Sequence, residues 1–377
     1  MIPADELLIA DQAGFDELVR ELEQEPLIGA DTEAASFHRY HDRIYLLQLS
    51  SRSVTAVVDP LGVPDLSRLG ALLGSESVEF IFHDADYDLR LFQRQFGFRL
   101  RRLFDTRVAA QFLNEPGIGL AAMLEKWLGV ATDKRFQRAD WSARPLTPAM
   151  VEYAATDTRH LPELSDLLRA KLAEMGRLSW VAEECEILTG VEWAPADPPE
   201  VGFFRLKGAR SLDPRGLAIL REVFTWREQT ASRLDRAAFR LVGNEALHSL
   251  AVRRPQTVQA LGAIPGIGAE NAARRGAEIL EAIGRGLAVP EAELPRFERG
   301  PRYRPDPTHE ERLVRLKETR TRLAAELNLA PGVLCANGTL EQIARAKPAT
   351  LEELRRTPSV RAWQVAAIGA QLLAVVP

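Results

Sequence analysis

Three short stretches bring carboxylates into patterns that suit metal chemistry. In "DTEAAS" Asp31 and Glu33 stand two apart at the end of an apolar run, and residues i and i+2 of a strand share a face. "HDADYDLRLF" supplies Asp84, Asp86 and Asp88 where a second apolar run turns helical. In "EYAATDTRHL" Tyr153 and Asp157 stand four apart with no Gly or Pro between them, so a phenol and a carboxylate leave the same helix face. Carboxylates gathered at one point repel unless something neutralises them. Divalent cations do so. Mg²⁺ takes one or two carboxylates with waters and substrate phosphates, and two ions ~3.5–4 Å apart clamp the attacking and leaving oxygens of a phosphoryl displacement. Each stretch has a plainer reading as well: exposed acids are commonly just solvated, and the acids of "HDADYD" suit the positive end of a helix. What distinguishes the set is its order, D-x-E on a first core strand, an Asp opening a later helix, then Y-x-x-x-D on a helix beyond a basic loop.

The elements that must position these residues follow from periodicity and turn residues. Residues 26–35, 43–51, 54–60 and 78–85 read as strands, short, apolar and bounded by polar or turn residues. Residues 65–74 read as an amphipathic helix closed by Gly74, and 86–97 as a helix with Leu89, Phe92 and Phe96 on one side. Residues 99–113 pass from strand to helix, 119–130 form a helix, and 131–148 are irregular and charged. Helices over 149–161 and 162–175 follow. Three strands with short links, then strands alternating with helices, predict a mixed α/β sheet.

Beyond a Pro-rich linker at 190–202 the strand signals largely stop, and 212–290 and 309–376 read as helices on either side of the Pro- and Arg-rich connector 295–307. The two helical segments match without gaps at an offset of 93 residues: Arg227 with Arg320, Asn244 with Asn337, Pro255 with Pro348, Thr257 with Thr350 and Pro265 with Pro358, beside several Leu and Ala pairs. Matching Asn, Pro and Thr at one fixed offset marks a duplicated helical domain.

A chain of 377 residues suggests two or three domains. Its 46% apolar and 27% charged residues are those of an ordinary globular protein. The net charge of −5 conceals a split. Residues 1–200 hold 20 Lys and Arg against 34 Asp and Glu, and residues 201–377 hold 28 against 19, giving −14 and +9. An acidic half suits cations and a basic half suits a polyanion. Cys185 and Cys335 lie far apart and fit no metal spacing, so they read as buried free thiols in a reducing compartment. The acidic start "MIPADELLIADQ" argues against a signal peptide, and "WQVAAIGAQLLAVVP" falls short of the ~20 residues that cross a bilayer.

The set Asp31, Glu33, Asp88 and Asp157, with Tyr153 four before the last, resembles the DEDD superfamily of 3′→5′ exonucleases in its Tyr subgroup. The stretch "DKRFQRADWSARPLTPAMVEYAATD" (133–157) is similar to the ribonuclease D family and its eukaryotic exosome relatives, and the two repeats resemble HRDC domains. The resemblance covers nearly the whole chain and is loosest in the second repeat. It implies a ribonuclease H-like mixed-sheet exonuclease domain with a C-terminal linker (1–200), then two small all-α domains. These are a first HRDC domain (201–294) and a second with an N-terminal connector (295–377).

It also implies two divalent ions, Mg²⁺ or Mn²⁺, held by Asp31, Glu33, Asp88 and Asp157, one serving the attacking water and the other the leaving 3′ oxygen. Tyr153 then belongs to the attacking water. A free Tyr titrates near 10, so it is a poor base at neutral pH and is expected to orient that water. Asp84 and Asp86 remain as helix-start acids. His160, three after Asp157, is a rival base, but in the His subgroup the His stands where Tyr153 does, which favours packing. His83 reads as a hydrogen-bonded structural residue, His38 and His41 as loop or hairpin residues, and Trp141 as a packing anchor.

Lys134 and Gln137 fall where similar relatives touch the terminal nucleotide, and Lys suits a phosphate as a point charge. Arg144 either positions phosphate or pairs with an acid. The turn in "IPGIGAENAARRGAEIL" (264–280) resembles a helix-hairpin-helix turn, whose Gly residues expose N–H groups to phosphate, against the plainer reading of a helix–helix turn. The second copy has "TPSVRAW" there, so any phosphate role would belong to the first. Arg205, Lys207, Arg210, Arg253 and Arg254 would extend a basic track for RNA. The implied function is a cytoplasmic 3′→5′ exoribonuclease that trims structured RNA with a free 3′ end, such as tRNA precursors, to nucleoside 5′-monophosphates, with no membrane and no obligate protein partner. A DNA exonuclease of the same superfamily is the alternative, because no residue marks a contact to the 2′-hydroxyl. A non-catalytic RNA-binding scaffold is a more distant one, since all four carboxylates and the Tyr are present.

Overall fold

A computed structural model describes residues 7–133, 135–195, 197–298 and 307–376. It contains one six-stranded mixed sheet, in the order β1-β4-β3-β2-β5-β6. The strands are β1 (Leu8–Ile9), β2 (Leu27–Ala34), β3 (Ile44–Ser50), β4 (Thr55–Val58), β5 (Glu79–Phe82) and β6 (Leu103–Asp105). β2, β3 and β4 form an antiparallel meander, while β1 runs parallel to β4, β5 to β2, and β6 to β5. β2 and β3 are therefore the central strands, and β3 is buried along its whole length. That accounts for "IYLLQLS" reading as a continuous apolar run rather than an alternating one.

The helices of this part are α1 (Gln12–Leu22), α2 (Ser67–Leu73), α3 (Asp86–Phe96), α4 (Thr106–Phe112), α5 (Leu120–Leu128), α6 (Pro148–Arg159), α7 (Leu161–Glu174) and α8 (Leu178–Thr189). α6 lies on β2, β3 and β4, and α7 continues over β2 and β5. Pro148 and Pro162 sit in the first turns of α6 and α7, where a missing N–H is harmless. Thr147 caps α6 by accepting from the Met150 N–H. The sequence reading did not anticipate β1, α1 or α8. β1 is two residues long, and α1 and α8 carry apolar faces that count only once the sheet is there to cover.

The remaining helices are α9 (Pro199–Gly202), α10 (Pro214–Leu234), α11 (Ala238–Leu241), α12 (Asn244–Arg253), α13 (Val258–Gly262), α14 (Gly268–Ala288), α15 (Pro307–Glu326), α16 (Pro331–Leu334), α17 (Asn337–Ala346), α18 (Leu351–Arg356) and α19 (Ala362–Leu373). The helical turn α9 lies inside the stretch expected to be a linker without periodicity. Much of the connector 295–307 lies outside the described residues.

The duplication extends to hydrogen bonds. Arg227 donates to Val242 O and Asn244 Oδ1, and Arg320 donates to Cys335 O and Asn337 Oδ1. Asp235 and Asn328 close α10 and α15 with positive φ, Arg254 and Lys347 close α12 and α17 in the same way, and Thr257 and Thr350 cap the next helices. All of these pairs are 93 residues apart.

The chain divides into two compact units. One holds residues 1–34, 44–193 and 304–377, and the other residues 35–43 and 194–303. In the first, the second repeat shares one apolar core with the sheet and its helices. Trp363 stacks on Trp180, with ring centroids 4.8 Å apart, and meets Phe112 edge-on. In the second unit, the first repeat has its own core around Leu220, Val223, Leu247 and Ile279. The 35–43 segment belongs to that unit, with the Tyr40 and His41 N–H groups donating to the Asp235 carboxylate.

Candidate active site

Asp31 and Glu33 project from the same face of β2, with Asp31 opposite Gln48 and Glu33 opposite Leu46 on β3. α6 crosses this face and adds Asp157, and carboxylate oxygens of Asp31, Glu33 and Asp157 lie within 4.8 Å of one another. Two contacts hold the helix at that height. The hydroxyls of Ser50 and Thr158 meet at 2.7 Å. Gly29, two residues before Asp31, lets the chain at Thr158–Leu161 approach closely, since a Cβ there would stand 3.0 Å from both Thr158 O and Leu161 Cβ.

Asp88 occupies the first turn of α3, is buried, and accepts a hydrogen bond from the Thr32 hydroxyl on the opposite face of β2. It lies outside the three-carboxylate group yet close enough for mutual repulsion with Asp31 and Glu33. The buried Asp105 carboxylate receives the N–H groups of Asp84 and Ala85 and caps α4, so one side chain fixes the turn that delivers Asp88. Asp84, with positive φ, pairs with Arg107, and Asp86 pairs with Arg90 at 2.8 Å. Both are accounted for as acids at a helix start.

Burial, joined by the charge of Asp157, holds the Asp31 carboxyl well above the usual carboxylate range. Burial and then Asp31, Asp157 and Asp88 do the same for Glu33. Asp88 is raised by burial and by Asp31, against the Thr32 hydrogen bond. Burial pushes Asp157 up to about 7. Four carboxyls that resist ionising together are a donor set suited to a hard divalent cation, which reverses the repulsion. Gln48 supplies a second observation: its amide is fully buried on the Asp31 face, and neither its oxygen nor its nitrogen finds a partner among the described residues. A bound cation with its waters would satisfy the acids and offer Gln48 a partner, so the residues present fit such a group.

Tyr153, one turn before Asp157, is packed between Trp141 (centroids 6.0 Å apart) and Phe136 (5.7 Å, edge-on). Burial, then Asp157, Glu33 and Asp31, push its phenol further above the usual value of 10. Beside it a cleft of about 270 Å³ is lined by Asp133, Phe136, Glu152, Tyr153, Thr156 and Asp157 among others. Trp141 is buried and anchors the loop before α6. Arg144 in that loop makes a two-pronged ion pair with Asp59, at 2.6 and 2.8 Å, and donates to Tyr45 O and Trp141 O. Of its two readings, the structure displays the pairing with an acid. Gln137 is exposed in the loop, and Lys134 lies outside the described residues. His83 bonds Thr106 at 2.9 Å, and His160 sits at the α6–α7 junction, its pKa lowered by burial and by Arg159. His38 and His41 lie in the β2–β3 connection. Cys185 and Cys335 are buried free thiols.

Thr32, Gln48, Asp105 and Phe136 were not singled out from the sequence. Gln48 did leave a signal there, a lone amide in an otherwise apolar strand. Among the described residues no helix is long and apolar enough to cross a membrane.

Comparison with known proteins agrees with this arrangement. Residues 8–173 match the 3′-5′ exonuclease family, and residues 216–283 and 309–376 each match the HRDC domain. Ribonuclease D from Gluconacetobacter diazotrophicus is 33% identical over 98% of this chain and 93% of its own. The crystal structure of Escherichia coli RNase D, described as an exoribonuclease involved in structured RNA processing, superposes with a TM-score of 0.71 at 25% identity over 98% of both chains. The catalytic core of RRP6 from Trypanosoma brucei gives 0.67 at 25% identity, over 75% of this chain and 81% of that one. By sequence over nearly its full length and by fold, this chain belongs to the ribonuclease D family of 3′→5′ exoribonucleases.

Proposed function

We propose that the chain trims the 3′ ends of structured RNA such as tRNA precursors, one nucleotide at a time, releasing nucleoside 5′-monophosphates. The observation that carries this reading is the meeting of Asp31, Glu33 and Asp157 within 4.8 Å, with Tyr153 one turn away on the same helix face. Asp31, Glu33, Asp88 and Asp157 would hold two divalent ions, Mg²⁺ or Mn²⁺. When bound, these supply Lewis acidity, a lowered pKa for water and neutralisation of the leaving oxygen.

The protein's own part is positional. Asp31 and Glu33 are fixed by the strand, Asp157 by the helix docked on Gly29, and Asp88 by the Thr32 hydroxyl and the Asp105 cap. The Tyr153 phenol keeps its proton at neutral pH, so it acts as a hydrogen-bond donor that orients the attacking water rather than as a base. Trp141 and Phe136 leave its ring little room to turn. The cleft beside Tyr153 offers space for the terminal nucleotide, and Phe136 lines it next to the exposed Gln137, which would meet that nucleotide together with Lys134. Arg144 supports that loop through Asp59 instead of reaching for phosphate. The cytoplasm, where RNA precursors mature, is the compartment that suits this activity.

The test uses a 5′-labelled RNA with a single-stranded 3′ tail, with Mg²⁺, Mn²⁺ or EDTA, beside the same sequence as DNA and an Asp157→Asn protein. Stepwise shortening of RNA from the 3′ end, lost in EDTA and in Asp157→Asn, is expected. Equal shortening of DNA would move the function to DNA, and RNA binding without shortening under either metal would leave a scaffold.

A further inference from the structure

Arg177, between α7 and α8, is buried, with 6% of its surface exposed. A buried charge is costly unless it is hydrogen-bonded. Its guanidinium lies 5.7 Å from the Trp180 ring centre and donates in two directions. One N–H group reaches Phe112 O at 2.7 Å, on the last residue of α4. Another reaches Leu327 O, on the residue directly after α15 in the second repeat. Both carbonyls stand at the C-terminal end of a helix, where the helix supplies no N–H partner and its dipole favours a cation. One side chain therefore finishes two helices that are far apart in sequence.

The same end of the first repeat is exposed. The residue 93 positions before Leu327 is Leu234, which is 45% exposed, whereas Leu327 packs against the core shared with the sheet. The second repeat is also seated by Glu183 of α8, whose carboxylate receives the N–H groups of Ala362 and Trp363 at 2.6 and 2.9 Å.

What Arg177 holds on its other side leads to the acid cluster. α4 is seven residues long and is held by charge at both ends. At its start the Asp105 carboxylate receives the Arg107 and Val108 N–H groups. The same carboxylate receives the N–H groups of Asp84 and Ala85, the turn that leads into α3 and Asp88. The far end of α4 is set by the second repeat. Phe112 meets Trp363 edge-on with ring centroids 5.1 Å apart, and its carbonyl shares Arg177 with Leu327. A short helix is a rigid element, so a shift imposed at one end is felt at the other.

We propose that Arg177 is a positioning residue for phosphodiester cleavage. By tying the end of α15 to the end of α4 it sets, through α4 and the Asp105 carboxylate, where Asp88 stands relative to Asp31, Glu33 and Asp157. The second repeat thereby serves the acid cluster as a support. The proposal rests on the reading that Asp88 is a metal ligand. If Arg177 only fastened the second repeat in place, it would matter to stability and not to the binding of Mg²⁺.

The test uses the full chain without RNA, well below its melting temperature. Mg²⁺ affinity is measured by calorimetry, and hydrogen exchange of the Asp84 and Ala85 amides is followed in EDTA. Arg177→Met keeps an apolar stem and removes the donors. Arg177→Lys keeps the charge but replaces the planar fork by a point donor. Asn114→Gly is the control: Asn114, with positive φ, bonds Asn328 at 2.9 Å and so joins the same two parts without touching Phe112 O. Arg177→Met is expected to weaken Mg²⁺ binding about tenfold, the lower end for groups that orient metal ligands, and to speed exchange at Asp84 and Ala85. Arg177→Lys should fall between it and the wild type, and Asn114→Gly should match the wild type in both readouts. A lowered melting temperature with Mg²⁺ affinity and exchange at wild-type values would overturn the proposal. Should Arg177→Met not fold, Arg177→Lys decides by the same two readouts. A wild-type chain that binds no Mg²⁺ would remove the metal reading, while exchange at Asp84 and Ala85 would still decide whether Arg177 holds that turn.

Discussion

The hydroxyls of Ser50 and Thr158 meet at 2.7 Å in the interior, joining the central strand β3 to the residue directly after Asp157. Both belong to the face where α6 touches the sheet, and Gly29 on the neighbouring strand is a point of close approach. The geometry of the acid cluster therefore depends on a contact that is itself made of small, neutral groups.

Gly29→Ala tests that dependence. The added Cβ would stand 3.0 Å from the Thr158 carbonyl oxygen and Leu161 Cβ, so the α6–α7 junction must retreat by a few tenths of an ångström. Overpacking of this kind costs about 1–3 kcal/mol. The larger effect is expected on catalysis, at least about tenfold in rate, because a 1 Å misplacement of reacting groups can cost ~100-fold. Thermal melts and single-turnover RNA trimming check the two effects separately.

The acid cluster sets the pH dependence of the metal-free protein. Asp157 is raised to about 7 by burial, and Asp31 and Glu33 are also raised, whereas unfolded carboxyls titrate at about 4. Between these values the folded state binds more protons than the unfolded one, so stability in EDTA should fall as pH rises from about 4 to about 7. Asp157→Asn should flatten this fall and raise the melting temperature in EDTA near pH 8, while losing the gain that Mg²⁺ gives the wild type. A melting series over pH, with and without Mg²⁺, checks this. Wild-type stability that rises over the same range would contradict it.

Gln48 separates metal support from fold support. Its buried amide finds no partner among the described residues, and a buried unsatisfied group costs about 1–3 kcal/mol. Gln48→Leu is expected to raise the melting temperature in EDTA and to weaken Mg²⁺ affinity measured by calorimetry in the absence of RNA. Outer-shell partners of metal ligands typically contribute 10–100-fold in affinity.

Tyr153→Phe keeps the ring against Trp141 and Phe136 and removes the hydroxyl. The rate constant for trimming is expected to drop about 100-fold with KM and melting temperature little changed, within the range for a group acting on the attacking water.

Arg144→Ala and Asp59→Asn should behave as one pair. Each breaks a mostly buried, two-pronged ion pair, and each is expected to lower stability by about 1–3 kcal/mol, the cost of leaving the remaining partner unsatisfied. The salt slope of RNA binding should stay at its wild-type value, since neither side chain is free to meet phosphate. A reduced slope for Arg144→Ala alone would return this residue to the substrate.

Local chemistry made much of this legible in the chain itself. Strand alternation puts Asp31 and Glu33 on one face, helical spacing does the same for Tyr153 and Asp157, and the fixed offset of 93 residues reveals the duplication. These are short-range regularities, fixed by the periods of strand and helix. The partners that hold the site are long-range: Gln48 faces Asp31 through strand register, Asp88 is held by Thr32 across β2, and Arg144 meets Asp59, 85 residues earlier. No sequence spacing encodes such pairs, because they arise from how the strands align and which surfaces close over them. The same holds for the repeats. Sequence determined that there are two copies and that one lacks the glycine turn, whereas only the tertiary structure decided that the second copy joins the core of the sheet, through Glu183 and Arg177, while the first keeps a core of its own. An apolar face is favourable only where another surface covers it, and that covering is a property of the folded chain.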